Sequence, residues 1–260
     1  MTTIEARTAP VLPVAPAAQD APSVREPAKS LPFSERSSMT SALRMPEPAT
    51  QATPVEFARF VGERLWLDFV NSDRAMLGRG KSTDALDDFD TYVAWLGAAR
   101  VLDGERGTAM LRRAQQQPTA ASAALHEARR LRNVLRALAE SGGSGDPRAE
   151  AAAVSEINRI LGRSAGSRRV EPRSDGGFVR SFVTVGDVFA GLLVPVIESA
   201  ADALVHDELA RVRRCAAPRC GRVFYDASRN GKRRWCEMAT CGNRAKAARH
   251  RRKVRQEDGR

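Results

Sequence analysis

All four cysteines of the 260-residue chain fall in one short window, at Cys215, Cys220, Cys236 and Cys241. Their spacing is C-x4-C-x15-C-x4-C. Two close pairs separated by a loop suit a tetrahedral zinc site: each pair brings two thiolates to one side of the ion, and the loop folds the second pair across. No run of 18 apolar residues offers a membrane span. Pro10, Pro13 and Pro16 break up any secretory apolar segment. The cytoplasm is therefore the expected location, and there disulfides are a poor account of paired cysteines. The window holds few large apolar residues, chiefly Val223, Phe224, Tyr225 and Trp235. That is too little core for an independent fold, so a metal is expected to supply the missing stability. The expected cofactor is one zinc ion per chain, held by Cys215, Cys220, Cys236 and Cys241. Free thiols or a redox pair are the alternatives, but thiolates among arginines would be reactive if unligated.

Charge is as unevenly placed as the cysteines. The formal net charge is +11. Residues 211–260 carry 17 Lys/Arg against 4 Asp/Glu, whereas the other 210 residues are close to neutral. One cationic end on a near-neutral body points to a polyanion, nucleic acid first and membrane surface second. A solvated basic tail is the bland alternative.

Three segments are expected. Residues 1–52 form a disordered Ala/Pro-rich extension, too poor in large apolar side chains to offset chain entropy. Residues 53–210 read as a helical domain with one small β-hairpin. A first helix is expected from Pro54, carrying Phe57, Phe60, Val61 and Leu65 and running into "LWLDFVNSD". A polar loop follows, then helices from about Leu86, near Asp103, over 120–140 and over 149–161. In "GGFVRSFVTV", Phe178, Arg180 and Phe182 alternate with Val179, Ser181 and Val183, which predicts a hairpin turning at Asp175-Gly176-Gly177. A buried helix with Pro195 as its start or a kink closes the domain. Residues 211–256 then form the zinc finger and a basic C-terminal helix. The fold class is thus mainly α: a helical domain with a small hairpin, followed by a small four-cysteine finger made of a hairpin and a basic helix. Because the body has apolar faces of its own, the two parts are expected to melt separately.

Within the finger, "GRVFYDASRNGKRRWC" predicts a hairpin turning at Asn230-Gly231. Thr240 is placed to cap a helix from Cys241 to about Arg255. At about 100° per residue, Arg244, Arg251 and Arg255 share one face of that helix, and Lys246, Arg249 and Lys253 another. No broad apolar stripe buries it. The candidate nucleic-acid contacts are Arg229, Lys232, Arg233, Arg234, Arg244, Lys246, Arg249, Arg251, Arg252 and Arg255. At least two of Phe224, Tyr225 and Trp235 are expected to pack around the metal, which disfavours stacking on single strands.

The string C-x4-C-x3-F-x-D-x-S-R-N, continued by R-R-W-C-x-M-x2-C-G-N-R-x-K, resembles the CGNR zinc finger. It is carried by Cys215, Cys220, Phe224, Asp226, Ser228, Arg229 and Asn230, then by Arg233, Arg234, Trp235, Cys236, Met238, Cys241, Gly242, Asn243, Arg244 and Lys246. The body resembles the helical ABATE domain that precedes this finger in a family of stress-induced transcription regulators. Its marker "LDFVN" stands at Leu67 to Asn71, with Ser72 where the family usually has threonine. Leu131-Arg132 and Ile157-Asn158 match weaker family pairs. The resemblance implies a zinc-dependent DNA-binding transcription regulator whose helical domain senses a signal or forms a homodimer, and no enzyme. Duplex DNA is the implied partner. An RNA-binding or protein-assembly adaptor using the same finger is the alternative.

Other motifs carry less. "AMLGRGKS" at Ala75 to Ser82 matches a permissive nucleotide-loop pattern, but Ala75 replaces its first glycine and no buried strand feeds it. A solvated loop is expected. His126, His206 and His250 have no metal spacing and read as surface residues. Asp68 is expected to fix a helix end or a buried hydrogen bond. Asp226 and Asn243 are expected to serve as turn and cap residues.

Overall fold

Short apolar runs bounded by capping residues set the elements. The structure, a computed structural model, describes residues 60–77, 81–142, 145–172, 176–218 and 220–258. The extension expected over 1–52 lies outside the described residues. Helix α1 (Leu65–Val70) is apolar nearly all round and buries Trp66, Leu67, Phe69 and Val70. A 3-10 turn, Asn71–Arg74, follows. Strands β1 (Ala75–Leu77) and β2 (Lys81–Thr83) then pair antiparallel, with Ala75 opposite Thr83. The expected solvated loop is therefore a small hairpin. A nucleotide loop needs its strand to run on into a helix, whereas this chain returns as a partner strand.

Asp88 and Asp103 cap the next two helices, α2 (Phe89–Ala98) and α3 (Gly104–Gln116), accepting from Thr91 N and Arg106 N at 2.7 Å each. Proline occupies the first turn of α4 (Pro118–Ser141), α5 (Pro147–Leu161) and α6 (Val194–Val205), where its missing N–H costs nothing. Pro195 is thus a helix start. Between α5 and α6, β3 (Gly166–Pro172) pairs with β4 (Phe178–Thr184), Gly166 facing Thr184. The predicted turn residue Asp175 lies outside the described residues, while Gly176 and Gly177 have the positive φ that the turn demands.

Helix α1 sits centrally, with α4 and α6 packed on it. Leu125, Leu131, Leu135 and Leu138 of α4 recur at helical spacing and are buried, and Ile197 and Ala200 of α6 join the same core. Among the described residues, no helix is long and apolar enough to cross a membrane.

The expected first helix is corrected. Residues 54–59 lie outside the described ones, but Phe60 and Val61 are not helical, and the chain bends at 62–64 before α1 begins. Glu63 adopts φ 59° there. The Asp68 carboxylate explains the bend, since it accepts from Gly62 N at 2.8 Å and from the Val61 backbone N–H. Those amides are thereby held at the helix start by a side chain. Position 62 must be glycine, because a Cβ there would lie 2.8 Å from both Asp68 N and Leu67 Cβ. Asp68 has the structural role expected of it. Burial pushes its carboxyl up to about 6, against the opposing pull of the two amides.

Candidate metal centre and nucleic-acid interface

After α6 and a 3-10 turn at Glu208–Arg211, β5 (Val212–Arg214) pairs antiparallel with β6 (Val223–Tyr225), Val212 opposite Tyr225. The expected hairpin within 221–236 is not formed, because both edges of β6 are taken. On one edge, β5 is extended by Cys215 N bonding Arg222 O at 2.8 Å and Asp226 N bonding Arg211 O at 2.9 Å. On the other, the Asn71 side chain brackets Val223, accepting from its N–H at 3.0 Å and donating to its C=O at 2.8 Å. Tyr225 N bonds Gly62 O at 3.0 Å on that same edge. The chain after β6 therefore cannot add as a strand. It wraps instead around Asp226, which is fully buried and accepts from Ser228 N at 3.0 Å and Arg233 N at 2.9 Å. Burial alone would raise the Asp226 carboxyl, but the Ser228 and Arg233 hydrogen bonds outweigh it and hold the carboxyl below its usual range. Asn230-Gly231 does turn the chain, with Gly231 N bonding Ser228 O at 3.2 Å and Gly231 at φ 61°.

This path brings all four cysteines together. Their sulfurs lie within 4.8 Å of one another. Cys220, Cys236 and Cys241 form a triangle with sulfur separations of 3.7, 3.7 and 3.6 Å. Zinc bonded to sulfur at about 2.3 Å gives tetrahedral edges of about 3.8 Å, so the triangle is one face of the right size. A disulfide needs sulfurs about 2.05 Å apart, and these thiols are free. Cys236 N donates to the Cys215 sulfur at 3.4 Å, the kind of amide contact that supports a thiolate. Burial, and then the nearby Cys220 and Cys215 sulfurs, push the Cys236 thiol above its ordinary range. Crowded sulfurs resist ionising together unless a cation shares them. The set fits one zinc ion, which the four-cysteine finger can hold.

Phe224 is fully buried in the sulfur cluster, and Trp235 packs half-buried against it. Val61, from the segment ahead of α1, is buried in the same cluster. Arg233 braces the loop. It donates to Trp235 O at 2.9 Å and to Cys236 O, pairs with Glu63, and lies over the Phe224 ring at 4.6 Å. Its guanidinium is thus turned inward, unlike the other candidate contacts. Arg229, Lys232 and Arg234 are exposed, with Arg234 stacked over Trp235 at 5.1 Å.

From Cys236 the chain enters a π-helical turn, Met238–Gly242, and then α7 (Asn243–Asp258). Thr240 does not cap. Its hydroxyl donates to Glu237 Oε2 at 2.9 Å, and α7 simply continues the π turn without a break to cap. Asn243 donates to Ala239 O at 3.2 Å, tying the two helical segments together. Cys241 and Gly242 are buried, so the root of α7 is fixed at the sulfur cluster. Beyond it Arg244, Lys246, Arg249, Arg251, Arg252 and Arg255 are all exposed. The three histidines are exposed too.

Asn71, Val61 and Glu63 escape a sequence reading, although all three join the helical body to the finger. The one signal available is the polar Asn71 closing the apolar run "LDFV", and the motif alone does not say what it bonds.

A helical body joined to a four-sulfur module that fits one zinc ion, with an exposed cationic helix, defines a zinc-finger protein. Residues 211–254 match the CGNR zinc finger, and residues 63–207 match ABATE, described as "Putative stress-induced transcription regulator". The chain belongs to that family. No curated protein sequence is detectably similar to it.

Proposed function

We propose that the chain is a transcription regulator that binds duplex DNA through its zinc-organised finger, with α7 as the element that enters a groove. The observation that carries this reading is the fixed root and free shaft of α7. It is a 16-residue helix, anchored at the buried Cys241 and exposing arginine and lysine on more than one face. An unsupported cationic helix would be only a solvated tail. A rooted one holds its charge in a defined direction, as groove docking requires. Arg229, Lys232 and Arg234 approach from the adjacent loop and suit phosphate contacts. Arg233 is assigned to bracing the loop instead. Arg244, nearest the root, is assigned to base edges, and Arg251 to phosphate.

Fluorescence anisotropy with the full chain on selected and random duplexes tests this. If about six phosphates are neutralised, the log–log slope of affinity against salt is roughly −5. Arg244→Ala should cost about 1–3 kcal/mol on the preferred site and much less on random DNA. Arg251→Ala should weaken both alike and reduce the slope by about one unit. Unchanged affinity of the double variant on every duplex would sink the assignment. So would tighter binding to single-stranded RNA than to duplex DNA.

A further inference from the structure

Helix α3 packs only loosely on the body, and a cavity of about 410 Å³ lies beneath it. None of its residues is buried, yet Met110, Leu111 and Ala114 form a half-buried apolar stripe against the core. The cavity runs between α3, β4 and the start of α6. Its walls include Leu102, Met110, Phe182, Val188, Leu192 and Pro195. This size and lining suit a small organic ligand. The floor depends on a close approach that only glycine permits, since a Cβ on Gly191 would lie 2.0 Å from Thr184 Cγ2.

Polar groups at the rim are few and of one sign. Arg106 and Arg113, two turns apart on α3, line the cavity, and no carboxylate does. Arg106 is already compensated: its Nη2 lies 2.7 Å from both oxygens of Glu171, and its Nε lies 3.6 Å from Asp103. The guanidinium of Arg113 has no partner among the described residues. We infer that this cavity binds a small monocarboxylate with an apolar body, its head at Arg113 and its body under α3. The head stays at the exposed rim, where Arg113 can bond it without full desolvation, while the body removes the half-buried stripe from water. A neutral ligand would leave Arg113 unmatched, and a cation would be repelled by it.

Decanoate, 1-decanol and decyltrimethylammonium are the probes, titrated below micelle formation into the full-length protein by isothermal calorimetry. No DNA is present, so failure here leaves the DNA-binding reading standing. Decanoate should bind one per chain, and decanol roughly tenfold more weakly, as expected for loss of a charge-assisted hydrogen bond. The cation should not bind. Arg113→Gln should weaken decanoate roughly tenfold and leave decanol unchanged, which a merely structural role for Arg113 would not do. Ala109→Trp, at an exposed position on the cavity wall, should block both while keeping the melting curve. Because α7 also attracts anions, decanoate binding that survives Ala109→Trp would overturn the inference. So would the absence of saturable binding, or an Arg113→Gln variant that binds decanoate as tightly as the parent.

Discussion

Asn71 does more for the assembly than its size suggests. It is buried, and its amide satisfies both backbone groups of Val223. Alanine there would leave a buried N–H and C=O unpaired, and each such group costs about 1–3 kcal/mol. Asn71→Ala should therefore destabilise the protein by about 3 kcal/mol. It should also speed zinc loss to a colorimetric chelator, because β6 leads into the sulfur cluster. An Asn71→Ala protein that melts like the parent and releases zinc no faster would show that this latch supports neither the fold nor the metal site. Ser72 has a comparable logic. Its hydroxyl accepts from Arg132 Nη1 at 3.2 Å, while Arg132, itself buried, also grips Asp84. The substitution of serine for the usual threonine keeps that hydroxyl, so the marker's departure leaves the bond in place. Leu131-Arg132, a weak pair when read as letters, is one core residue and one buried cation.

At the scale of elements, legibility follows locality. The helices α3, α4 and α5 stand close to their expected bounds, because caps at Asp103 and Asp146 and the prolines Pro118 and Pro147 act within a few residues. The β3–β4 hairpin is also local: alternation and a glycine turn specify it. The errors fall where a distant group decides. Val61 is held by Asp68 and the sulfur cluster, and β6 is claimed by β5 and Asn71, so neither can follow the pattern of its own neighbours. The four cysteines were legible as a set because metal geometry constrains their spacing, whereas the inward turn of Arg233 was not, since nothing in "KRRW" separates it from Arg234. Helix α7 is the element with the simplest test. Ala247 is exposed in its interior, and proline there costs about 3 kcal/mol of helix while touching no core. Ala247→Pro should keep zinc content and thermal stability but lower DNA affinity more than tenfold in anisotropy. Retained affinity would mean that the loop arginines, not the helix, hold the DNA.

For the whole molecule, separate melting of body and finger no longer follows from the body having its own core. Val212 and Val223 of the finger strands are buried in the main apolar cluster, and Val61 of the body is buried among the cysteines. Around this shared interface, Arg64 pairs with Glu208 at 2.6 Å and lies 3.9 Å above the Tyr225 ring. Trimming the chain after residue 210 would take Val212 and Val223 out of the main core and strand Asn71 without its partner, so isolated fragments are poor probes of either part. The metal is expected to act on the whole. Binding of zinc to the folded chain alone stabilises everything that unfolds with the site. Removing it with a strong chelator, or substituting Cys236→Ser, should lower the single melting transition by on the order of 10 °C or more. Both ends should respond together: exposure of the finger's thiols, which are all the cysteines of the chain and are read with a colorimetric thiol reagent, and far-ultraviolet dichroism dominated by α4 and α5 should change over one transition. A lowered finger transition beside an unmoved helical one would show two independent units, and the interface through Asn71, Val61 and Arg64 would then be contact without coupling.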